Sequence, residues 1–131
     1  MRIEHFAFNV PEPVAMAAWY EKHLGMKTVR KAGPPTHMHF LADDSGQSII
    51  EIYNNAKAPV PDYRAMPALV LHLAFESNDI KATQERLLKA GAAADDELMV
   101  TPLGDEMVTI RDPWGVALQL VKRREPMLPA K

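Results

Sequence analysis

The chain has 131 residues, with 15 Lys and Arg against 17 Asp and Glu, a formal charge of −2. At 47% hydrophobic and 24% charged residues it has the make-up of one globular domain, well away from disorder, and its near-neutral balance offers no basic face for tracking nucleic-acid phosphates. Without cysteine any metal must use nitrogen and oxygen ligands; the most apolar stretch, residues 69–75, is too short for a bilayer, and MRIEH is no secretory signal, so a soluble cytoplasmic chain without a membrane partner is expected.

Residues 2–10 alternate, with Ile3, Phe6, Phe8 and Val10 among smaller or polar residues, and predict a half-buried strand ended by Pro11 and Pro13. Residues 14–24 place Met16, Trp19, Tyr20 and His23 at helical three-to-four spacing, and Gly25 stands where a left-handed C-cap is wanted. Short β-prone segments follow at 27–31, 37–41 and 48–53, separated by Gly33-Pro34-Pro35 and by Asp43-Asp44-Ser45-Gly46. Residues 55–67 hold three prolines and little periodicity, which marks a linker or a surface excursion.

The pattern then restarts. Residues 69–76 predict a strand, Ser77-Asn78-Asp79 a helix N-cap, and 80–90 an amphipathic helix through Ile80, Thr83, Leu87 and Leu88 that Gly91 closes. Strand signals are weak at 92–97 and clearer at 107–111 and 116–121, the last two joined by a turn at Asp112-Pro113-Trp114-Gly115. Lys122, Arg123 and Arg124 read as a solvated end. His5-Phe6-Ala7-Phe8 matches His72-Leu73-Ala74-Phe75 at an offset of 67, Gly25 matches Gly91 at 66, and Glu51 falls on Gln119 at 68. A motif repeated at near-constant offset with the same order of elements argues for two βαβββ modules, about 1–56 and about 68–124.

Alternate strand residues share a face. By that parity Phe6 and Phe8 turn to the helix, while His5, His37, His39, Glu51, His72, Thr109, Arg111 and Gln119 fall on the other side. Burying so many polar groups without partners is costly, so that side should be wet, metal-bound or filled by a ligand.

The paired modules, the HFAF and HLAF strands, the IIEIY strand and the closing DPWGVALQLV resemble the vicinal oxygen chelate superfamily over nearly the whole chain. That superfamily contains glyoxalase I, fosfomycin-resistance proteins, extradiol dioxygenases, methylmalonyl-CoA epimerase and bleomycin-binding proteins. The resemblance implies an α+β fold, a single domain over 1–131 in which two tandem βαβββ modules form a cupped mixed sheet with helices on the outer face, and a homodimer. It also implies one divalent metal ion held by the first- and fourth-strand residues of each module, here His5, Glu51, His72 and Gln119. Two imidazoles, a carboxylate and an amide oxygen suit Zn, Ni, Co, Mn or Fe as the divalent ion.

Gln119 departs from the glyoxalase I pattern of two fourth-strand glutamates, and an amide cannot serve as a base, so proton chemistry would fall to Glu51. The first expectation is a metal-dependent lyase or isomerase that acts on a small vicinal-oxygen substrate through an enolate-type intermediate. Glu51 would be catalytic, and His37, His39, Thr109 and Arg111 would contact the substrate. Arg111 has two other possible partners at the rim, Asp112 and Glu76. The second expectation is a non-catalytic binding protein of the bleomycin-resistance type, sequestering an antibiotic or metabolite. An extradiol dioxygenase, with His5, His72 and Glu51 as a two-histidine, one-carboxylate set, ranks third, because in those relatives the carboxylate comes from the second module.

Overall fold

The computed structural model describes residues 1–128, and the chain divides into two compact units, Met1–Pro61 and Asp62–Lys131. The boundary falls inside the proline-bearing stretch 55–67.

Unit 1 runs β1 (Phe6–Asn9), α1 (Pro13–Leu24), β2 (Lys27–Lys31), β3 (His39–Ala42) and β4 (Ile49–Tyr53). Its mixed sheet has the order β1-β4-β3-β2, with β1 parallel to β4 and the other neighbours antiparallel. Helix α1 opens with Pro13, whose missing N–H is no loss at a first helical position, and closes on Gly25 at φ 71°. Its Met16, Ala17 and Tyr20 pack on the face of the sheet that carries Phe8, Leu41 and Ile52, all buried. Burying a residue such as Leu41 or Ile52 contributes roughly 1.5–3 kcal/mol, so this apolar sandwich is the main support of the unit.

Unit 2 runs β5 (Leu73–Glu76), α2 (Ile80–Lys89), β6 (Ala93–Ala94), β7 (Met99–Val100), β8 (Glu106–Arg111) and β9 (Ala117–Lys122). Strand β5 lies parallel to β9, β9 pairs antiparallel with β8, and both β6 and β7 pair with β8. Asp79 caps α2, its Oδ1 accepting from the Ala82 N–H at 3.0 Å. Ile80 and Leu87 of the helix are buried against β8 and β9, whose Val108, Ile110, Leu118 and Leu120 are buried with them. The element order repeats that of unit 1, with β7 added.

Both first strands are shorter than their sequence pattern predicts. Residues 2–5 and 69–72 lie outside β1 and β5, and Ile3, Leu69 and Val70 are 88%, 95% and 68% exposed. The cause is the partner strand. Phe6 pairs with Ile50 and Leu73 with Leu118, each one residue into its partner strand; a turn precedes those strands, so no ladder remains for residues 2–4 and 69–71.

The stretch 55–67 is tied down from both sides and is no free linker. In unit 1 the Asn9 side chain donates to the carbonyls of Asn55 (3.1 Å) and Ala58 (2.9 Å) and accepts from the Asn55 N–H at 2.8 Å. In unit 2 Tyr63 is buried, and its carbonyl accepts from Arg111.

In the basic run at 122–124 Lys122 and Arg124 are exposed, as a solvated end would be, but Arg123 is half-buried and the run is tied to Asp105. The Arg124 backbone N–H (2.9 Å) and the Arg123 guanidinium (2.8 Å) both donate to Asp105, and together they hold its carboxyl below the usual carboxylate range. A depressed folded-state pKa stabilises the protein above the unfolded value of about 3.9, and that contribution is lost as pH falls through the folded value. Asp105→Asn is therefore expected to lower Tm at pH 7, with the gap to wild type narrowing below about pH 4. Thermal melts of both proteins between pH 3 and 7 check this; a gap that does not change with pH would contradict it.

Candidate functional site

Glu51 sits in the middle of β4, between Ala7 of β1 and Phe40 of β3. Directly paired residues share a face, so Ala7, Glu51, Phe40 and, by alternation, Tyr53 line the side of the sheet away from α1. His5, two residues before Ala7, brings its imidazole to the same place. Its Nε2 lies 3.3 Å from Glu51 Oε2, and the two side chains are 35% and 17% exposed. The Nδ1 of His5 bonds the Glu4 carboxylate, and the ring stands at 88° to that of Phe40 with centroids 5.3 Å apart. The hydrogen bond that His5 donates to Glu4 is the main cause of a raised His5 pKa; burial opposes it, and the charges of Glu4 and Glu51 add to it.

In unit 2 Gln119 of β9 stands between Ala74 and Thr109, so Thr109 and Gln119 share a face as parity predicts. Thr109 is buried, its N–H donating to Asp96 Oδ1 at 2.5 Å. His72 immediately precedes β5, as His5 immediately precedes β1. Its Nδ1 lies 2.8 Å from the Ala68 carbonyl. A carbonyl can only accept, so Nδ1 carries a proton, and in the neutral ring the lone pair is on Nε2. Both histidines thus have Nδ1 held by an oxygen and Nε2 turned to other use, the pattern by which metal-binding histidines are oriented.

The donors come in twos. Unit 1 brings together His5 and Glu51, and unit 2 carries His72 and Gln119; among the described residues no group of three His, Asp or Glu side chains is gathered in one place.

Two expected substrate contacts, His37 and His39, are placed differently, and a third, Arg111, is engaged within its own unit. His39 pairs with Ile52 and shares its face with Leu41, so it lies on the helix side of the sheet, opposite to Glu51, and is buried. Its Nδ1 donates to the His37 carbonyl at 2.7 Å. His37 is a turn residue at φ 48° ahead of β3 and lines a shallow groove of about 460 Å³ with Pro11, Pro13, Pro35 and Asn54. That groove lies past the carboxyl ends of β1 and β4, whereas His5 stands at the start of β1. Arg111 shares the face of Thr109, yet its guanidinium is committed internally. It makes a two-pronged pair with Asp95 (3.0 and 3.2 Å) and donates to the carbonyls of Tyr63 (3.0 Å), Met66 (2.9 Å) and Gly115 (3.3 Å). Neither Asp112 nor Glu76 is among these partners, and the arrangement makes Arg111 a structural clamp.

Two residues beside the site escaped the strand pattern. Phe40 could have been found from Leu41, whose apolar neighbours place it in the core and so turn Phe40 to the other face. Glu4 gives no signal beyond its position next to His5.

Residues 2–120 match the family model of the Glyoxalase/Bleomycin resistance protein/Dioxygenase superfamily. Among solved structures the fold is similar to a glyoxalase family protein from Bacillus cereus, at 18% identity and a TM-score of 0.79, covering 93% of each chain. It is similar to the glyoxalase family protein from Enterococcus faecalis at 28% identity and a TM-score of 0.70, over 92% of this chain and 96% of that one. An antibiotic binding protein from a Streptomyces species is 18% identical with a TM-score of 0.68, over 94% and 96% of the two chains. No relative among curated proteins matches the sequence. The chain belongs to the Glyoxalase/Bleomycin resistance protein/Dioxygenase superfamily. No helix among the described residues is long and apolar enough to cross a membrane.

Proposed function

We propose that this superfamily member is a divalent-metal-dependent lyase or isomerase acting on a small molecule with two adjacent oxygens. The observation that carries the reading is the approach of His5 Nε2 to Glu51 Oε2 at 3.3 Å. Two donors that share one metal ion at about 2.0–2.2 Å, at tetrahedral to right angles, stand about 2.8–3.6 Å apart. The pair is therefore spaced as two ligands of one ion would be, and the Nδ1 anchorage of both His5 and His72 leaves Nε2 as the ligand nitrogen on each. His5, Glu51, His72 and Gln119 would hold the ion, a nitrogen and oxygen set that suits Zn²⁺, Ni²⁺, Co²⁺, Mn²⁺ or Fe²⁺.

Such an ion, when bound, polarises substrate oxygens and stabilises negative charge that develops on them. The rest falls to the chain. Glu51 is the only carboxylate of the four and the one able to take a proton from the carbon beside a substrate carbonyl and return it to the neighbouring position. Gln119 can orient an oxygen or donate a hydrogen bond but cannot act as base. Phe40, packed edge-on against the His5 ring, walls one side of the pair.

A second reading, a cup that binds an antibiotic or metabolite without chemistry, is favoured by the likeness to the Streptomyces antibiotic binding protein. Metal content separates the two. Wild type, His5→Ala and His72→Ala, purified without tag or chelator, are compared by elemental analysis before and after exposure to Zn²⁺, Ni²⁺, Co²⁺, Mn²⁺ and anaerobic Fe²⁺. Wild type should carry near one equivalent, and each variant should lose it. Wild type that stays empty with every ion would end the enzyme reading and leave the binding one.

A further inference from the structure

We propose that Glu4 is a positioning residue: its carboxylate holds His5 in the tautomer whose Nε2 lone pair faces Glu51, and so sets up that pair to take a divalent cation. The proposal rests on the metal-dependent reading above and adds to it a residue outside the four donors.

The argument is geometric. The imidazole of His5 stands between two carboxylates, Glu4 on Nδ1 and Glu51 at 3.3 Å from Nε2. An ionised carboxylate only accepts, so the bond to Glu4 requires the proton on Nδ1. Neutral His5 then presents a lone pair to the Glu51 oxygen. Two electron-rich atoms at that separation repel unless something positive lies between them, and either a proton or a metal ion meets the need. If Glu4 were absent, the single imidazole proton would move to Nε2, where Glu51 accepts it, and the ligand nitrogen would be blocked by its own hydrogen.

Unit 2 shows that the device is particular to His5. At the offset of 67 that relates His5 to His72, Glu4 corresponds to Leu71, and the His72 ring is held by the neutral Ala68 carbonyl instead. A charged acceptor strengthens the bond to Nδ1 and raises the donor power of the opposite nitrogen beyond what a carbonyl does. The two carboxylates also put negative charge around His5, whereas Gln119, which corresponds to Glu51, carries none. The Glu4 side chain is 75% exposed, so its bond contributes little to folding and its removal should leave stability unchanged.

The test uses the full chain as wild type, Glu4→Gln and Glu4→Asp. Affinity for Co²⁺ is measured by competition with a chromophoric chelator. The His5 tautomer is read in the metal-free protein by long-range proton–nitrogen NMR at a pH where the ring is neutral. Wild type should show the Nδ1–H form. Glu4→Gln should shift toward Nε2–H and lose at least about tenfold in Co²⁺ affinity with the same Tm, the scale by which removing such an orienting group weakens metal sites. Glu4→Asp, which keeps the charge, should lie between the two. A Glu4→Gln protein that keeps either the wild-type tautomer or the wild-type affinity overturns the proposal. Wild type that takes up no Co²⁺ overturns the functional reading, and the positioning role with it; uptake by wild type with unchanged affinity in Glu4→Gln overturns the role of Glu4 alone.

Discussion

Arg111→Ala is expected to cost about 2–4 kcal/mol of folding stability, because it removes a buried guanidinium that serves a part-exposed carboxylate and three backbone carbonyls. The Arg111 side chain is 9% exposed and pairs with Asp95, and its Nη1 also serves three backbone carbonyls. Truncation strands all of these at once. Two of the carbonyls, those of Tyr63 and Met66, belong to the segment that leads into β5, and the third is that of Gly115 in the β8–β9 turn, so the damage reaches three stretches of chain. Arg111→Lys keeps the charge but not the planar fork that reaches Asp95 and the carbonyls together, and it should recover less than half of the loss. Urea titration of the three proteins decides the matter, and a loss below about 1 kcal/mol for Arg111→Ala would show that the clamp is dispensable.

The second large effect is expected at Gly115. Its φ is 89°, and a Cβ there would stand 2.8 Å from both the backbone nitrogen and the Cβ of Arg64. Those atoms cannot swing aside as the tip of a long side chain would. The turn itself cannot relax easily, because Asp112 Oδ1 accepts from the N–H groups of both Trp114 and Val116 at 2.9 Å. Strain of this backbone conformation and the overpacking together put Gly115→Ala at about 2–4 kcal/mol. Gly46 provides the control, since its φ is 67° but nothing lies within 4 Å of a Cβ there. Gly46→Ala should therefore show the conformational cost alone, about 1 kcal/mol. Denaturation curves that give equal losses at the two positions would remove Arg64 from the explanation.

Much of this architecture follows from local pattern. The two helices, the Asp79 cap, the strands at 27–31 and 107–111 and the repeat of elements were all carried by periodicity and turn residues, because each depends on near neighbours in the chain. What the pattern missed depends on partners. Ile3, Leu69 and Val70 have the apolar character of strand residues, but a ladder needs a facing strand, and β4 and β9 begin too late to supply one. Grouping His39 with His37 puts it on the wrong face, because His37 is a left-handed turn residue outside β3 and carries no information about that strand's faces. Counting from buried Leu41 gives the observed orientation. The placement of Arg111 was sound, but its role turns on Asp95, sixteen residues away in sequence, and on carbonyls 45 and 48 residues away. No spacing rule joins them. At the candidate site, Glu51 and Gln119 were placed by alternation, whereas the approach of His5 to Glu51 required the parallel register of β1 on β4.

The grip of Asn9 on one side and Arg111 on the other also bears on how the chain meets a protease. A protease needs an extended run of some ten residues to enter its cleft, and exposed segments between compact units are where such runs are usually found. Here residues 56–62 are exposed, but the backbone is held as far as Pro59 by Asn9 and again from Tyr63 by Arg111. Only residues 60–62 lie between, and Pro61 is among them. The segment is visible to a protease without being available to it, and nicking at this boundary requires one of the two anchors to let go first.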